Sequence, residues 1–293
     1  MISKHDIQAF GEKHRILLQG DEFIYILPHH ALRTHIADYT ITFPTKDFMS
    51  DRTTILSYGS ATLVIESTAK KLSIKLFGPS VKPCLIGNTP SEMIVTIDFR
   101  PAGLYALTGI SQSELTDKAF PFEEINFSLS KLLSEAIEKA TSVSRLVTNL
   151  DILLLESMST IYPPQLNLVF QNVFNSAGNI AVKKLSDDIH YSERHLNRMF
   201  KQYVGTGVKT FTRLIRMNVA CHLLQNCKNS VEIVSELTGF QDPSHFVRDF
   251  ELICGITPKT YRDNMSDFHN EIAMSLMYIE DILKYTQQRR AKK

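Results

Sequence analysis

The stretch HLNRMFKQYVGTGVKTF, residues 195–211, returns fifty residues later as HFVRDFELICGITPKTY, residues 245–261. His195/His245, Arg198/Arg248, Phe200/Phe250, Gly205/Gly255, Lys209/Lys259 and Thr210/Thr260 are identical, six of 17 aligned positions, and Leu196/Phe246 and Phe211/Tyr261 are similar in kind. Two copies are too few for a solenoid, which takes about three or more units to bury a continuous core. A duplicated small module is the better reading. In the first copy Leu196, Met199, Phe200 and Tyr203 fall at i, i+3, i+4 and i+7 and share one helix face. Arg194, Asn197, Arg198 and Lys201 gather on the opposite face. Ser192 is placed to cap this helix by accepting a backbone N–H of its first turn. Upstream, Val182, Leu185 and Ile189 give a short helix, and His190-Tyr191 joins the two as a tight turn.

The second copy repeats the plan with a different turn. Ser230 caps a helix through Val231 and Val234 that ends at Thr238, and Gly239 supplies the turn. Asp242-Pro243 is a good N-cap and first-position pair for the next helix. Phe246, Phe250 and Ile253 form its buried stripe, leaving Ser244, His245, Val247, Arg248 and Glu251 outward. Between the copies, Lys209 to Leu224 is predicted as one helix with Phe211, Ile215, Ala220 and Leu223 among its apolar positions. At ~1.5 Å per residue it is about 24 Å long, enough to hold two reading helices roughly one DNA turn, ~34 Å, apart. Arg, Asn and Lys are the side chains that read guanine and adenine edges or hold phosphate, so the more basic first helix is expected to do most of the base reading.

Residues 167 to 262 resemble the DNA-binding domain of the AraC/XylS family of bacterial transcription regulators. The resemblance rests on LSDDIHYSERHLNRMFKQYVGTGVKTF, LIRMNVACHLL and GFQDPSHFVRDFELICGITPKTYR. It implies two helix-turn-helix motifs joined by a linker helix. It also implies contacts to duplex DNA from Arg194, His195, Asn197, Arg198 and Lys201 in the first reading helix, and from Pro243, Ser244, His245, Val247 and Arg248 in the second. The chain departs from the family pattern at Ser186 and Ser235, where Ala is usual, at His190 in place of a turn Gly, and at Val208 where the second copy has Pro258.

The first half has a different texture. RILLQ, FIYIL, YTITFP, RTTILSYG, ATLVIES, LSIKLFG and MIVTIDF are short β-branched and aromatic runs separated by Gly, Pro, Asp and Ser, which predicts a sandwich or barrel. From Leu129 to Ser159 apolar residues recur at helical spacing, and Tyr162-Pro163-Pro164 reads as a linker. The first half is similar to the β-barrel sensor domains that precede this DNA-binding domain in many family members, with FRPAGLYALTGISQSELTDKAFPFEEI from Phe99 like one strand-to-helix junction. The expected fold is α+β in two domains: a cupin-like β-barrel sensor over 1–128, a helical dimerisation and linker segment over 129–164, an all-α DNA-binding domain over 165–265, and a helix with a basic tail over 266–293. Leu150, Leu153, Leu154 and Met158 are expected to pair across a two-fold axis, making a homodimer. Ile272, Leu276, Ile279 and Leu283 follow a 4-3-4 spacing that fits a helix packed within the chain.

Of 293 residues, 43% are hydrophobic and 22% charged, with 12 Gly and 11 Pro, which excludes a disordered, collagen-like or coiled-coil chain. The net charge of +1 conceals a gradient: 15 Lys+Arg against 18 Asp+Glu over 1–162, 12 against 9 over 163–265, and 5 against 4 beyond. Positive charge therefore gathers where phosphate would be met. MISKHDIQAF lacks the apolar core of a signal peptide and no window suits a membrane span, so a cytoplasmic address and no membrane partner are expected. Cys84, Cys221, Cys227 and Cys254 form no CxxC pair and read as reduced, mostly buried residues. His29-His30 lacks the His-x-His spacing of a cupin metal site, so no metal and no cofactor are expected. Partners beyond DNA are a small-molecule effector and, for an activator, RNA polymerase. An alternative is a cupin-like enzyme with an accessory helical domain. Residues 1 to 130 show no paired catalytic carboxylates, activated nucleophile or phosphate-binding glycine loop to support it.

Overall fold

The computed structural model describes residues 2–44, 52–55, 59–69, 71–87, 91–225, 229–263 and 268–269, with the backbone alone over 52–55, 84–87 and 268–269. In chain order the elements of the first half are α1 (His5–Gln8), β1 (Ile16–Gln19), β2 (Phe23–Ile26), β3 (Ile36–Thr42), β4 (Arg52–Ile55), β5 (Thr62–Ser67), β6 (Leu72–Phe77), β7 (Cys84–Gly87), β8 (Met93–Phe99), α2 (Gly103–Thr108), α3 (Gln112–Leu115), β9 (Ala119–Pro121), α4 (Phe122–Ile125), α5 (Phe127–Glu138) and α6 (Val143–Ser157). The second half gives α7 (Gln165–Asn175), α8 (Val182–Asp188), α9 (Glu193–Tyr203), α10 (Val208–Leu224), α11 (Val231–Leu237), α12 (Pro243–Cys254), α13 (Pro258–Asp263) and β10 (Phe268–His269).

The chain forms two compact units. The first, over 1–49, 60–79 and 88–162, combines helices with a seven-stranded antiparallel sheet in the order β1-β2-β3-β8-β5-β6-β9. Strand β5 shows why it forms: Leu63, Ile65 and Ser67 turn inward while Thr62, Val64 and Glu66 alternate outward, the period-2 pattern of a sheet buried on one face. Tyr39, Ile41, Leu63, Ile65, Val95 and Ile97 pack in one core with Leu129, Leu133, Leu146, Val147, Leu150 and Leu154 of α5 and α6. This corrects the expected two-fold seam. Leu150 and Leu154 are 0% exposed inside the unit, and Leu153 and Met158 pack against its core. The Leu146, Val147, Leu150 and Leu154 face of α6 is taken up by the core of its own unit, Ile152 and Leu155 staying exposed, and Asp151 fastens the helix there. That carboxylate accepts from Arg15 Nη2 at 2.8 Å, the His29 backbone N–H at 2.8 Å and the Tyr39 hydroxyl at 3.0 Å. His29 and His30 lie at the start of a short 3-10 helix, His30–Leu32, and not in a strand, with ring centroids 4.1 Å apart. Among the described residues no group of three His, Cys, Asp or Glu could hold a metal ion.

The other face of the sheet carries a polar cluster that the sequence reading passed over. Asp38 and Asp98 stand directly opposite each other across β3 and β8, both buried. Asp98 accepts from Thr62 and Thr96 hydroxyls at 2.6 and 3.1 Å, and Asp38 from Thr40 at 3.1 Å. Burial pushes the Asp98 carboxyl up to about 6 against the pull of its two threonines. Burial, then the charge of Asp98, pushes Asp38 well above the carboxylate range, with Arg100 opposing. The signal was present as polar residues two apart, Asp38 and Thr40, Thr96 and Asp98, within apolar runs.

The second unit comprises 50–59, 80–87 and 163–293. It therefore takes in two segments that the sequence reading placed in the β-rich half. The physical reason is pairing: β4 and β7 join each other antiparallel, and β4 joins β10, in a sheet separate from the seven-stranded one. Helix α10 is shared by two clusters. Phe211 meets Phe170, Phe174 and Phe200, with Phe200 at 5.5 Å between ring centroids. Leu214, Met217, Ala220 and Leu224 pack with Val234, Leu237, Phe246, Phe250 and Tyr261. Cys221 and Cys254 are buried free thiols with Sγ atoms 3.9 Å apart, and burial raises the Cys221 thiol. Cys227 and the apolar tail Ile272, Leu276, Ile279 and Leu283 lie outside the described residues, and Cys84 is described only as backbone.

Candidate nucleic-acid interface

Both helix pairs, α8 with α9 and α11 with α12, turn in the same way. After α8 the Tyr191 N–H reaches back to the Ser186 carbonyl at 3.0 Å and the His190 N–H to Asp187 at 3.1 Å. After α11 the Phe240 N–H reaches Ser235 at 3.0 Å and the Gly239 N–H reaches Glu236 at 3.0 Å. These nested bonds are a Schellman ending, which requires a left-handed residue at the position of His190 and Gly239. They adopt φ of 57° and 88°. Gly239 does so without a side-chain clash; His190 carries a Cβ there at a cost of about 1–2 kcal/mol. The second turn holds one more residue before its cap, Phe240-Gln241-Asp242 against Tyr191-Ser192.

The caps start the next helices as their sequences require. Ser192 accepts from the His195 N–H at 3.2 Å, and Asp242 accepts from the Ser244 N–H at 2.9 Å with Pro243 at the first helical position. On α9, Leu196, Met199 and Phe200 are buried, and Arg194, Arg198 and Lys201 are exposed. His195 is half-buried, its ring edge-on to Tyr191 at 4.6 Å and its Nδ1 3.1 Å from Arg198 Nη2. Asn197 is half-buried, and its side-chain oxygen accepts from the Val208 N–H at 3.2 Å, which stitches the start of α10 to α9. On α12, Pro243, Ser244, His245 and Arg248 are exposed, while Val247 is half-buried against the core. Arg248 Nε donates to the Ser244 carbonyl at 3.3 Å. The ring of His245 stands edge-on to Phe240 at 5.5 Å, with Nε2 3.8 Å from Asp249.

Residues outside the expected set position these helices. Arg213 of α10 holds Asp249 of α12 with two hydrogen bonds of 3.2 and 2.8 Å. Arg216 donates to the Gly178 carbonyl at 3.1 Å and lies over the Phe240 ring at 5.3 Å, tying the α7–α8 connection to the second turn. Arg213 and Arg216, three apart on one helix, left only a charge pattern to read, because an acidic partner 36 positions on and a carbonyl 38 positions back cannot be paired from sequence. Residues 185–264, which run from within α8 through α13, match the family model described as "Helix-turn-helix domain". They are a helix-turn-helix domain of the AraC type.

The AraC-type domain also carries the similarity to named proteins. The uncharacterized HTH-type transcriptional regulator YisR of Bacillus subtilis (strain 168) is 32% identical over 85 residues, 29% of this chain and 30% of that protein. The HTH-type transcriptional regulator GlxA of Rhizobium meliloti (strain 1021) is 38% identical over 71 residues, 24% and 22% of the two chains. The HTH-type transcriptional activator RhaR of Escherichia coli (strain K12) is 32% identical over 82 residues, 28% and 29%. The matched region thus spans less than a third of each relative. Residues 25–121, in the N-terminal half, match a "Domain of unknown function (DUF6597)". Among the described residues no helix is long and apolar enough to cross a membrane.

Proposed function

We propose that this chain is a sequence-specific DNA-binding transcription regulator in which α9 and α12 read successive major grooves of one duplex. The observation that carries the reading is the repetition of a whole device. Each helix pair has the same Schellman ending, a side-chain N-cap on its second helix, and an exposed arginine as the sixth residue of that helix, Arg198 and Arg248. A helix whose outer face is cationic and whose N-terminal residues are exposed is suited to the major groove. Arg194, Arg198 and Lys201 make the outer face of α9 the base-reading one. His195 is braced by Tyr191 to present its edge beside them. Asn197 spends its oxygen on α10, so its part in this reading is chiefly to hold the helix. Pro243, Ser244, His245 and Arg248 face the second groove, with Val247 as their apolar footing.

The N-terminal unit is the sensing half in this reading, its sheet the wall of a cupin-like barrel that receives a small-molecule effector. RNA polymerase is the further partner of an activator. A homodimer would bring four reading helices to DNA; since Leu150 and Leu154 are internal, its contact falls to the exposed Ile152 and Leu155 of α6, 49% and 38% accessible. The test is selection of a binding site with the full-length protein, followed by footprinting. Protection of about two helical turns is expected. Arg198→Ala is expected to cost about 1–3 kcal/mol at that site and to relax discrimination at one or two base pairs. Protection of a single groove would sink the tandem arrangement, and the absence of any preferred sequence would sink the reading itself.

A further inference from the structure

Besides Arg198/Arg248, exposed on the two reading helices, five identical pairs of the internal repeat are sorted by burial and contacts. Phe200 and Phe250 are fully buried, and Gly205 and Gly255 take φ of 93° and 74° just past the two reading helices, so these pairs hold the fold. Thr260 works locally, its backbone N–H and hydroxyl both meeting the Thr257 hydroxyl, at 3.1 and 2.8 Å. His195 and His245 rest against the turn aromatics. Lys209 and Lys259 serve none of these ends. Both are exposed, and neither side chain has an ion pair or hydrogen bond among the described residues. Packing does not explain why two modules that differ at most positions both carry a lysine there.

Their placement supplies the reason. Each lysine is the second residue of the helix that follows a reading helix, since α10 begins at Val208 and α13 at Pro258. In the first copy the start of α10 is stitched to Asn197, which lies among Arg194, Arg198 and Lys201, so Lys209 continues the margin of that basic face. In the second copy Val247 stands in the register of Asn197 and packs against the core, and Pro258 is buried as Val208 is. A duplex offers the same phosphate geometry at every turn, so two like modules set one turn apart meet the backbone at the same point of each. We propose that Lys209 and Lys259 are matched phosphate clamps, each gripping the DNA backbone beside the groove that its own reading helix enters. This rests on the DNA-binding reading above and extends it to residues that reading does not use. An ammonium on a flexible stem suits a contact that carries charge without base selectivity.

The experiment measures the affinity of full-length protein, across 50 to 200 mM salt, for the selected duplex and for a random one. Lys209→Ala and Lys259→Ala are each expected to weaken both duplexes by the same factor. Each is expected to reduce the slope of log affinity against log salt by about 0.9, and the double variant by about twice that. Lysine-to-arginine variants keep the wild-type slope. Lys139→Ala removes the same charge from α5, where Lys139 pairs with Glu135 at 2.9 Å, and leaves the slope unmoved. Slopes unchanged in both alanine variants of a protein that binds DNA overturn the clamps alone, as does a loss confined to the selected duplex. A wild type that binds neither duplex overturns the DNA-binding reading and the clamps with it.

Discussion

His190 is the residue at which local sequence and local structure disagree. Its φ of 57° is the left-handed conformation that the Schellman ending demands, and Gly239 meets the same demand in the second copy at 88°. His190→Gly removes a Cβ strain of about 1–2 kcal/mol and gives back up to about 1 kcal/mol through the greater freedom of glycine in the unfolded chain. The expected result is a net gain of about 0.5–1 kcal/mol in urea denaturation of the C-terminal unit, with Gly239→Ala losing about as much or more. A His190→Gly protein no more stable than wild type would show that the imidazole makes up for the strain. At this scale the sequence was readable wherever the partner was near. Ser192, Ser230 and Asp242 cap helices two or three residues ahead, at hydrogen-bond distances of 2.9–3.3 Å. The bond from the Val208 N–H to Asn197, by contrast, spans 11 residues and depends on how α9 and α10 meet, so no local pattern announces it.

At the scale of the element, the strands announced themselves by β-branched runs and the helices by spacing, but which strands lie side by side did not. Adjacency of β3 and β8 joins residues some sixty positions apart and puts Asp38 opposite Asp98. No local pattern fixes such a register. The pair has a consequence for pH. Both carboxyls titrate near 4 in an unfolded chain. In the folded unit Asp98 is raised to about 6 and Asp38 well above its ordinary value, by burial in each case. Above pH 4 the native state therefore holds protons that the unfolded state has released. The stability associated with these groups is full below about pH 4 and is lost as pH climbs through 6 and beyond. Thermal unfolding of the N-terminal unit is expected at higher temperature at pH 5 than at pH 7.5. Asp38→Asn, which keeps an oxygen for the Thr40 hydroxyl, is expected to raise the midpoint at pH 7.5 and flatten the difference. A variant with the wild-type pH dependence would place its origin elsewhere.

At the scale of the whole molecule, the Tyr162-Pro163 break suggests two domains each made of one continuous stretch of chain, whereas the ranges of the two units alternate along the sequence. Residues 50–59 and 80–87 leave the N-terminal half to join the C-terminal unit. The Gly59 N–H donates to the Ser80 carbonyl at 3.1 Å, closing the base of the excursion. The Gly59 backbone lies so near Phe211 and Leu214 of α10 that a methyl group there would stand 3.3 and 3.1 Å from them. Val81 packs on the cluster around Leu214 and Phe250. Pro83 adjoins Gly255 at the end of α12. A sequence scan for composition could not find this, because β4 and β7 look like any other strands and their membership is decided by what they pair with. A fragment starting at Pro163 therefore lacks two of the three strands of its own sheet and part of the cover over α10. Such a fragment is expected to unfold at a lower temperature than the C-terminal unit of the full chain, and to bind a hydrophobic dye that the full chain does not. Supplying residues 50–87 on the same chain through the N-terminal unit should restore both properties. A fragment from 163 that melts with the full chain's C-terminal transition and binds no dye would mean that α7–α13 close their core without the excursion.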